Sequence, residues 1–486
     1  MTVAFVAAGA VAFVLGLAVG LRNWRWSVYG LILYIPVSGI AIVAAHGDRF
    51  ERAEAVLAKD FLFVLPAYLG FLVSYLRGRE RRLLFPGAPL VAALLLGAVV
   101  VVQAFNPELP NRLVGLIGVK VWLLYIPLLV LGYHLVRSRD ELSRVLGVAA
   151  ASAVLPAAVG IAEAIVMYTG DAERVWSLYG DAAPAVTQQF TEFPLGSGLR
   201  RIPSTFSSFY QYFLFLSTMV AVVYAWWRGR RAAAPVWSLP ALLWLALVAA
   251  TFASGQRGAF LFIPLLVAMI LLLDRQRRLA LQVAVPILAA FLLVVTLVGT
   301  NPVSLFDHLA WTARSEFGDV LVDGTHDAVA TTTFGLGAGS DSIGARYAFP
   351  GERVVTPAGR FLESWYHKGW IELGVVGFLL VLVLFGTLVI RLVRSYASVR
   401  DPGLRSVAAA FLALLLWTLF YNVKAQYIDV DPLNVYFWLL AGLLFKLPAL
   451  ERLETAPGPE RGTVDDVPVT DAGSAPTLAA PRARGA

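Results

Sequence analysis

Predominantly apolar runs about twenty residues long recur along almost the whole chain, far more apolar sequence than a water-soluble core could bury. In hydrocarbon each backbone N–H and C=O must be satisfied within its own segment, so such runs are helices. The chain therefore reads as an all-α polytopic integral membrane protein. Spans fall at about 3–21, 28–45, 60–76, 87–105, 114–136, 144–168, 205–226, 238–253, 258–273, 279–299, 370–393, 404–422 and 431–449, or about 12–13 transmembrane helices. Composition fits this class alone: 59% of the 486 residues are hydrophobic and 15% charged, with a mean hydropathy of +0.73. No basic residue precedes the first run, so it is expected to persist as a helix rather than act as a cleaved signal. Residues 1–454 form the transmembrane domain; 455–486, rich in Pro, Gly, Ala and Thr, predict a disordered tail.

Charge sets the sidedness. The clusters Arg22–Arg25, Arg77–Arg82, Arg137–Arg144, Arg228–Arg231, Asp274–Arg278 and Arg391–Arg405 alternate with the spans so that all share one face. By the positive-inside bias that face is cytoplasmic, with the N-terminus outside and the tail inside. The longer polar loops, 169–204 and 300–369, then lie on the extracytoplasmic face. The excess of basic over acidic residues is topological, and nucleic acid is not an expected partner. With no cysteine there is no disulfide, thiolate nucleophile or Cys-based metal site. No His/Asp/Glu spacing resembles a metal box, and HExxH, Walker and GxGxxG patterns are absent, so neither metal nor nucleotide is expected.

The residues that break the charge bias mark a site on the outer face. Arg200 and Arg201 precede the seventh span, Arg257 occupies a turn of about four residues between two apolar helices, and Arg314, Arg346, Arg353, Arg360 and Lys368 lie in or at the end of the large loop. Converging guanidinium groups suit phosphate or pyrophosphate, because they bind it bidentately and stay charged. Ser204, Thr205, Ser207 and Ser208, with Tyr210 and Gln211 deeper, offer hydroxyl and amide groups to sugar or phosphate oxygens, or simply let helices pack closely. Lys120 and Glu163, near outer span ends, either form a structural ion pair or line the same cavity. His46 and His134 have no chemical company in sequence, and His308 and His326 lie in the large loop, where surface histidines are common. His367 does: it enters a span between Trp365, Tyr366 and Trp370, with Glu363 and Glu372 about one turn away. Its imidazole has the pKa to accept a proton from an attacking hydroxyl. Phe334-Gly-Leu-Gly-Ala-Gly339 is expected to be a turn.

The order Arg201-Ile-Pro-Ser-Thr-Phe, then Ser254-Gly-Gln-Arg257-Gly258, then Phe334-Gly-Leu-Gly-Ala-Gly339, then Trp365-Tyr-His367 leading into Glu372-Leu-Gly-Val-Val-Gly377 resembles the O-antigen ligase and polymerase superfamily over roughly residues 200–390. The resemblance implies a GT-C-like membrane glycosyltransferase of the bacterial inner membrane, acting on the extracytoplasmic face without cofactor. It implies an undecaprenyl-diphosphate-linked glycan as donor and a lipid or glycan hydroxyl as acceptor. Arg257 matches the family's Ser-Arg-Gly arginine, His367 the histidine that closes its large loop, and Arg201 the arginine ahead of the earlier span. On that pattern Arg257, Arg201, Arg200 and Lys120 hold the diphosphate, and Tyr210, Gln211, Glu163 and Lys368 line the glycan or lipid site. His367 deprotonates the acceptor, oriented by Glu363 or Glu372. The chain has His367-Lys368 where the family often has His-Asn, and Gln256-Arg257 where it often has Ser-Arg. The alternative class is a lipid-linked oligosaccharide flippase or other transporter, which should carry its charges at the midplane on broken helices.

Overall fold

The computed structural model describes residues 2–44, 56–78, 80, 87–170, 172–179, 200–230, 238–256, 258–298, 307, 310, 314, 318, 320–349 and 362–455. Among them the regular structure is helical throughout, with no strand. Eight helices are long and apolar enough to cross a membrane: Trp24–Ala44, Val56–Leu76, Arg112–Leu135, Arg139–Thr169, Phe209–Arg230, Trp365–Ser398, Pro402–Tyr421 and Leu433–Glu454. Five shorter apolar helices, Gly9–Arg22, Ala88–Gln103, Leu239–Ala253, Ala259–Leu273 and Arg278–Leu293, fall on the remaining runs of the sequence. The protein is thus an all-α, multi-pass membrane protein.

Local signals place several helix starts. Asn111 accepts from the N–H groups of Leu113 and Val114, and Asp401 from that of Leu404 with Pro402 in the first turn. Ser138 accepts from Glu141 N–H at 3.2 Å while the Glu141 carboxylate reaches back to Arg137 N–H at 2.7 Å, a variant of the reciprocal capping box.

Burial separates an inner layer from a lipid-facing one. The most apolar stretch of Leu433–Glu454 is 94% buried, that of Phe209–Arg230 83% and that of Pro402–Tyr421 78%, against 39% for Trp365–Ser398. A helix apolar all round belongs inside a bundle. Leu433–Thr455 packs on Leu128–Leu135 through small residues, with Gly132 against the Leu439 carbonyl and Gly442 against that of Leu129, so a methyl group on either would meet backbone.

Two departures from regular helix position the site. The seventh span was expected to begin near residue 205, but its helix starts at Phe209. Ser204 has φ +53°, and the 204–208 hydroxyl-rich stretch forms turns that bond to other helices. The second departure is in Trp365–Ser398, which breaks at Gly374 (φ 68°, ψ −173°). The Gly-rich stretch docks on the break: Leu336 N–H donates to Ile371 O at 2.8 Å, Gly337 N–H to Glu372 O at 3.2 Å, and Val375 N–H to Thr333 O at 3.0 Å. The expected turn is therefore a plug that satisfies the groups a broken helix frees.

Candidate functional site at the broken helix

The nine residues between Trp365 and the break carry three of the sequence candidates, and the structure sends them in different directions. Glu372 is fully buried. One carboxylate oxygen accepts Trp122 Nε1 at 2.6 Å and Gly339 N–H at 2.9 Å; the other accepts Asp341 N–H at 3.0 Å and the Ser342 hydroxyl at 2.8 Å. Four donors saturate the carboxylate, so Glu372 anchors the 339–342 loop rather than orienting His367.

Lys368, also fully buried, puts its ammonium 2.5 Å from Asp429 Oδ2 and 4.2 Å from the centre of the Trp122 ring. Asp429 Oδ1 accepts Trp365 Nε1 at 2.9 Å. Two residues on, Asp431 Oδ2 meets Lys59 Nζ at 3.2 Å, and Lys59 in turn contacts Asp60 Oδ1 at 3.1 Å and Tyr125 OH at 2.5 Å. Asp60 Oδ2 pairs with Lys120 at 2.9 Å. Lys120 therefore has Asp60, not Glu163, as its ion-pair partner. Three lysines and three aspartates make two ion-pair groups joined through the 427–431 loop. Sequence reading missed Lys59, Asp60, Trp122, Asp429 and Asp431; the signals were a Lys59-Asp60 pair at a span mouth and an Asp-x-Asp in a short loop.

His367 faces the opposite way. Its Nε2 lies 3.1 Å from Thr325 Oγ1, and its ring rests on Gly324, where a Cβ would come within 2.7 Å of Cε1. The imidazole is therefore covered by the Asp323–Thr331 helix of the large loop and is 8% exposed. Thr325 is a partner that sequence spacing did not reveal. Glu363 is exposed at the mouth. Its charge, after burial and the neighbouring Tyr421 and Tyr210, helps push the Tyr427 phenol well above its ordinary range.

The Arg200–Gln211 segment forms the adjoining wall. Arg200 N–H donates to Tyr168 OH at 2.8 Å, and the Arg201 guanidinium lies 4.4 Å from the centre of the Phe209 ring. Glu163 accepts Tyr179 OH at 2.8 Å and Ser204 N–H at 3.0 Å, which holds this wall to the Val154–Thr169 helix. Gln211 Oε1 accepts the Ser207 hydroxyl at 2.9 Å, and the Tyr210 ring lies 6.2 Å from that of Tyr427. Arg257 lies outside the described residues, as do His46, His308, Arg353, Arg360 and the tail beyond 455. The turn before it is placed: Ile202 N–H donates to Ser254 O at 3.1 Å, and Gly255 (φ 72°) packs against the Arg200–Arg201 backbone. The chain thus brings the Ser254–Gln256 turn to Arg201, while Lys120 and Lys368 belong to the ion-pair groups.

An apolar groove of about 690 Å³ runs between Ala88–Gln103, Leu128–Leu135 and the Trp365–Ser398 and Leu433–Thr455 helices. Ile126, Leu384 and Trp438 line it and also line a small cleft together with Trp122, Trp365 and Asp429. Among the described residues no three His, Asp or Glu side chains converge as metal ligands would. No protein-family model matches the chain, and no curated protein matches its sequence.

Proposed function

We propose that the protein is a bacterial inner-membrane glycosyltransferase that moves or polymerises glycan from an undecaprenyl-diphosphate donor to an acceptor hydroxyl on the extracytoplasmic face. The observation that carries this reading is the continuity of the apolar groove with the cleft at Trp122, Trp365 and Asp429. The groove would take part of a long hydrocarbon tail, and the polar head would then emerge near the broken helix. The diphosphate would meet Arg201 and Arg257, whose fixed positive charge offsets what develops on the leaving group. The acceptor oxygen would attack the anomeric carbon as the bond to the diphosphate oxygen breaks, inverting the carbon. Its proton would pass to His367, and the diphosphate would leave unprotonated.

The test is release of free undecaprenyl diphosphate by purified protein given lipid-linked glycans and candidate acceptors. Release by wild type and its loss in His367→Ala would support the assignment; equal release by both would remove His367 from the chemistry. Product length separates single transfer from polymerisation.

The break at Gly374 and the lysine–aspartate groups favour a second reading, a lipid-linked oligosaccharide transporter, since such proteins bind substrate on discontinuous helices. Transbilayer movement of a fluorescent lipid-linked glycan in proteoliposomes, with no release of the carrier diphosphate, would favour it.

A further inference from the structure

A second cavity, of about 410 Å³, lies where the Trp24–Tyr34 helix begins, on the face that carries the arginine clusters. Four guanidinium groups line it, those of Arg22, Arg25, Arg77 and Arg137, with a single carboxylate, Glu80. Glu80 is buried and already shared: Arg137 Nη2 lies at 2.9 Å, Arg25 Nη2 at 3.6 Å and His134 Nδ1 at 3.7 Å. Neither Arg22 nor Arg77 has a carboxylate within ion-pair distance among the described residues. Even with Glu141, whose carboxylate accepts Arg137 N–H at 2.7 Å, the described groups at the cavity carry more positive than negative charge.

It is also built rather than incidental. Arg25 is fixed from behind, its Nη2 donating to His134 O at 3.1 Å and its guanidinium lying 5.4 Å from the centre of the Trp24 ring. Its Nε is buried with no hydrogen-bond partner. Leu21 and Val73, from the ends of two apolar helices, complete the wall, and Trp26, next to Arg25 in sequence, is 64% exposed as an interfacial tryptophan is.

We propose that this cavity binds a phosphate-bearing anion, and that its source is the headgroup of an anionic phospholipid in the leaflet on the arginine-rich face. Guanidinium forks match phosphate, and the apolar wall would accept the start of the acyl chains. The proposal is independent of the chemistry assigned to His367.

The test titrates full-length protein in detergent with phosphatidylglycerol, phosphatidylcholine, inorganic phosphate and pyrophosphate, for wild type and two double variants. Arg22→Gln/Arg77→Gln alters the cavity at two exposed residues and should leave the fold intact. Arg278→Gln/Arg394→Gln removes the same charge elsewhere. Phosphatidylglycerol should bind wild type, and its affinity should fall about thirtyfold in the first variant alone, with no competition from phosphatidylcholine. Phosphate or pyrophosphate binding as tightly as the lipid, with the same dependence on Arg22 and Arg77, would overturn the lipid source and assign a soluble anion. Equal weakening in both doubles, or none in either, would overturn the site.

Discussion

The Trp122 indole donates to Glu372 at 2.6 Å, and the Trp122 ring lies 4.2 Å from the Lys368 ammonium. One side chain of the Arg112–Leu123 helix thus bonds the carboxylate that holds the Gly-rich loop and stacks on the cation that holds the 427–431 loop. Both loops meet on the segment before the break, so that segment is fixed from two sides while His367 faces the Asp323–Thr331 helix.

Glu372→Ala should cost about 3 kcal/mol or more, because it leaves an indole N–H, two backbone N–H groups and a hydroxyl without their acceptor. Hydrogen exchange locates the effect: the Gly339 and Asp341 amides should lose protection while the Phe209–Arg230 core keeps it. Unchanged protection at those amides would mean that the loop is held by other contacts.

The Lys368–Asp429 pair should behave as a coupled unit. Lys368→Met or Asp429→Asn alone leaves a buried charge without its counterion, at about 3–5 kcal/mol. The double variant removes both charges and should be less destabilised than the sum of the singles. Thermal unfolding in detergent closes the cycle; strict additivity would mean that the pair contributes no coupling.

Gly374→Ala should be destabilised by about 1–3 kcal/mol, since φ 68° with ψ −173° is a conformation essentially restricted to glycine. A Cβ there would also come within 2.6 Å of the Phe334 carbonyl oxygen. Gly386 lies in the same helix with open space around its Cβ position, so Gly386→Ala should be neutral or stabilising by up to about 1 kcal/mol. Equal melting temperatures for the two variants would remove the break as a structural requirement.

The spans were legible because apolar length is a local property, and each run of the sequence found a helix. The break was not legible, since a lone glycine in Leu373-Gly374-Val-Val costs an ordinary helix only about 1 kcal/mol and carries no other stop signal. Lys120 and Glu163 stand out in sequence because charge in an apolar run is visible, but their partners do not. Asp60 and Tyr179 reach them by tertiary packing, which spacing along the chain does not encode. The same holds for Glu372, which lies one turn from His367 in sequence yet spends its carboxylate on a loop 30 to 33 residues away. Asp429 and Asp431 read as an ordinary polar connection because the lysines that meet them lie on distant helices.

His367 tests the link between this architecture and chemistry, because its Nε2 meets Thr325 of the large loop while Glu372 on its own helix is committed to other donors. If the imidazole takes a proton in the rate-limiting step, a change in its orientation lowers kcat and leaves donor binding intact. Thr325→Val keeps the shape and removes the hydroxyl, so kcat for the proposed glycan transfer should fall about tenfold to a hundredfold with KM for the donor nearly constant. Thr325→Ser restores the hydroxyl and should recover most of the rate. A loss of rate common to both variants would trace the defect to packing of the Asp323–Thr331 helix, and full activity in Thr325→Val would detach the hydroxyl from the function of His367.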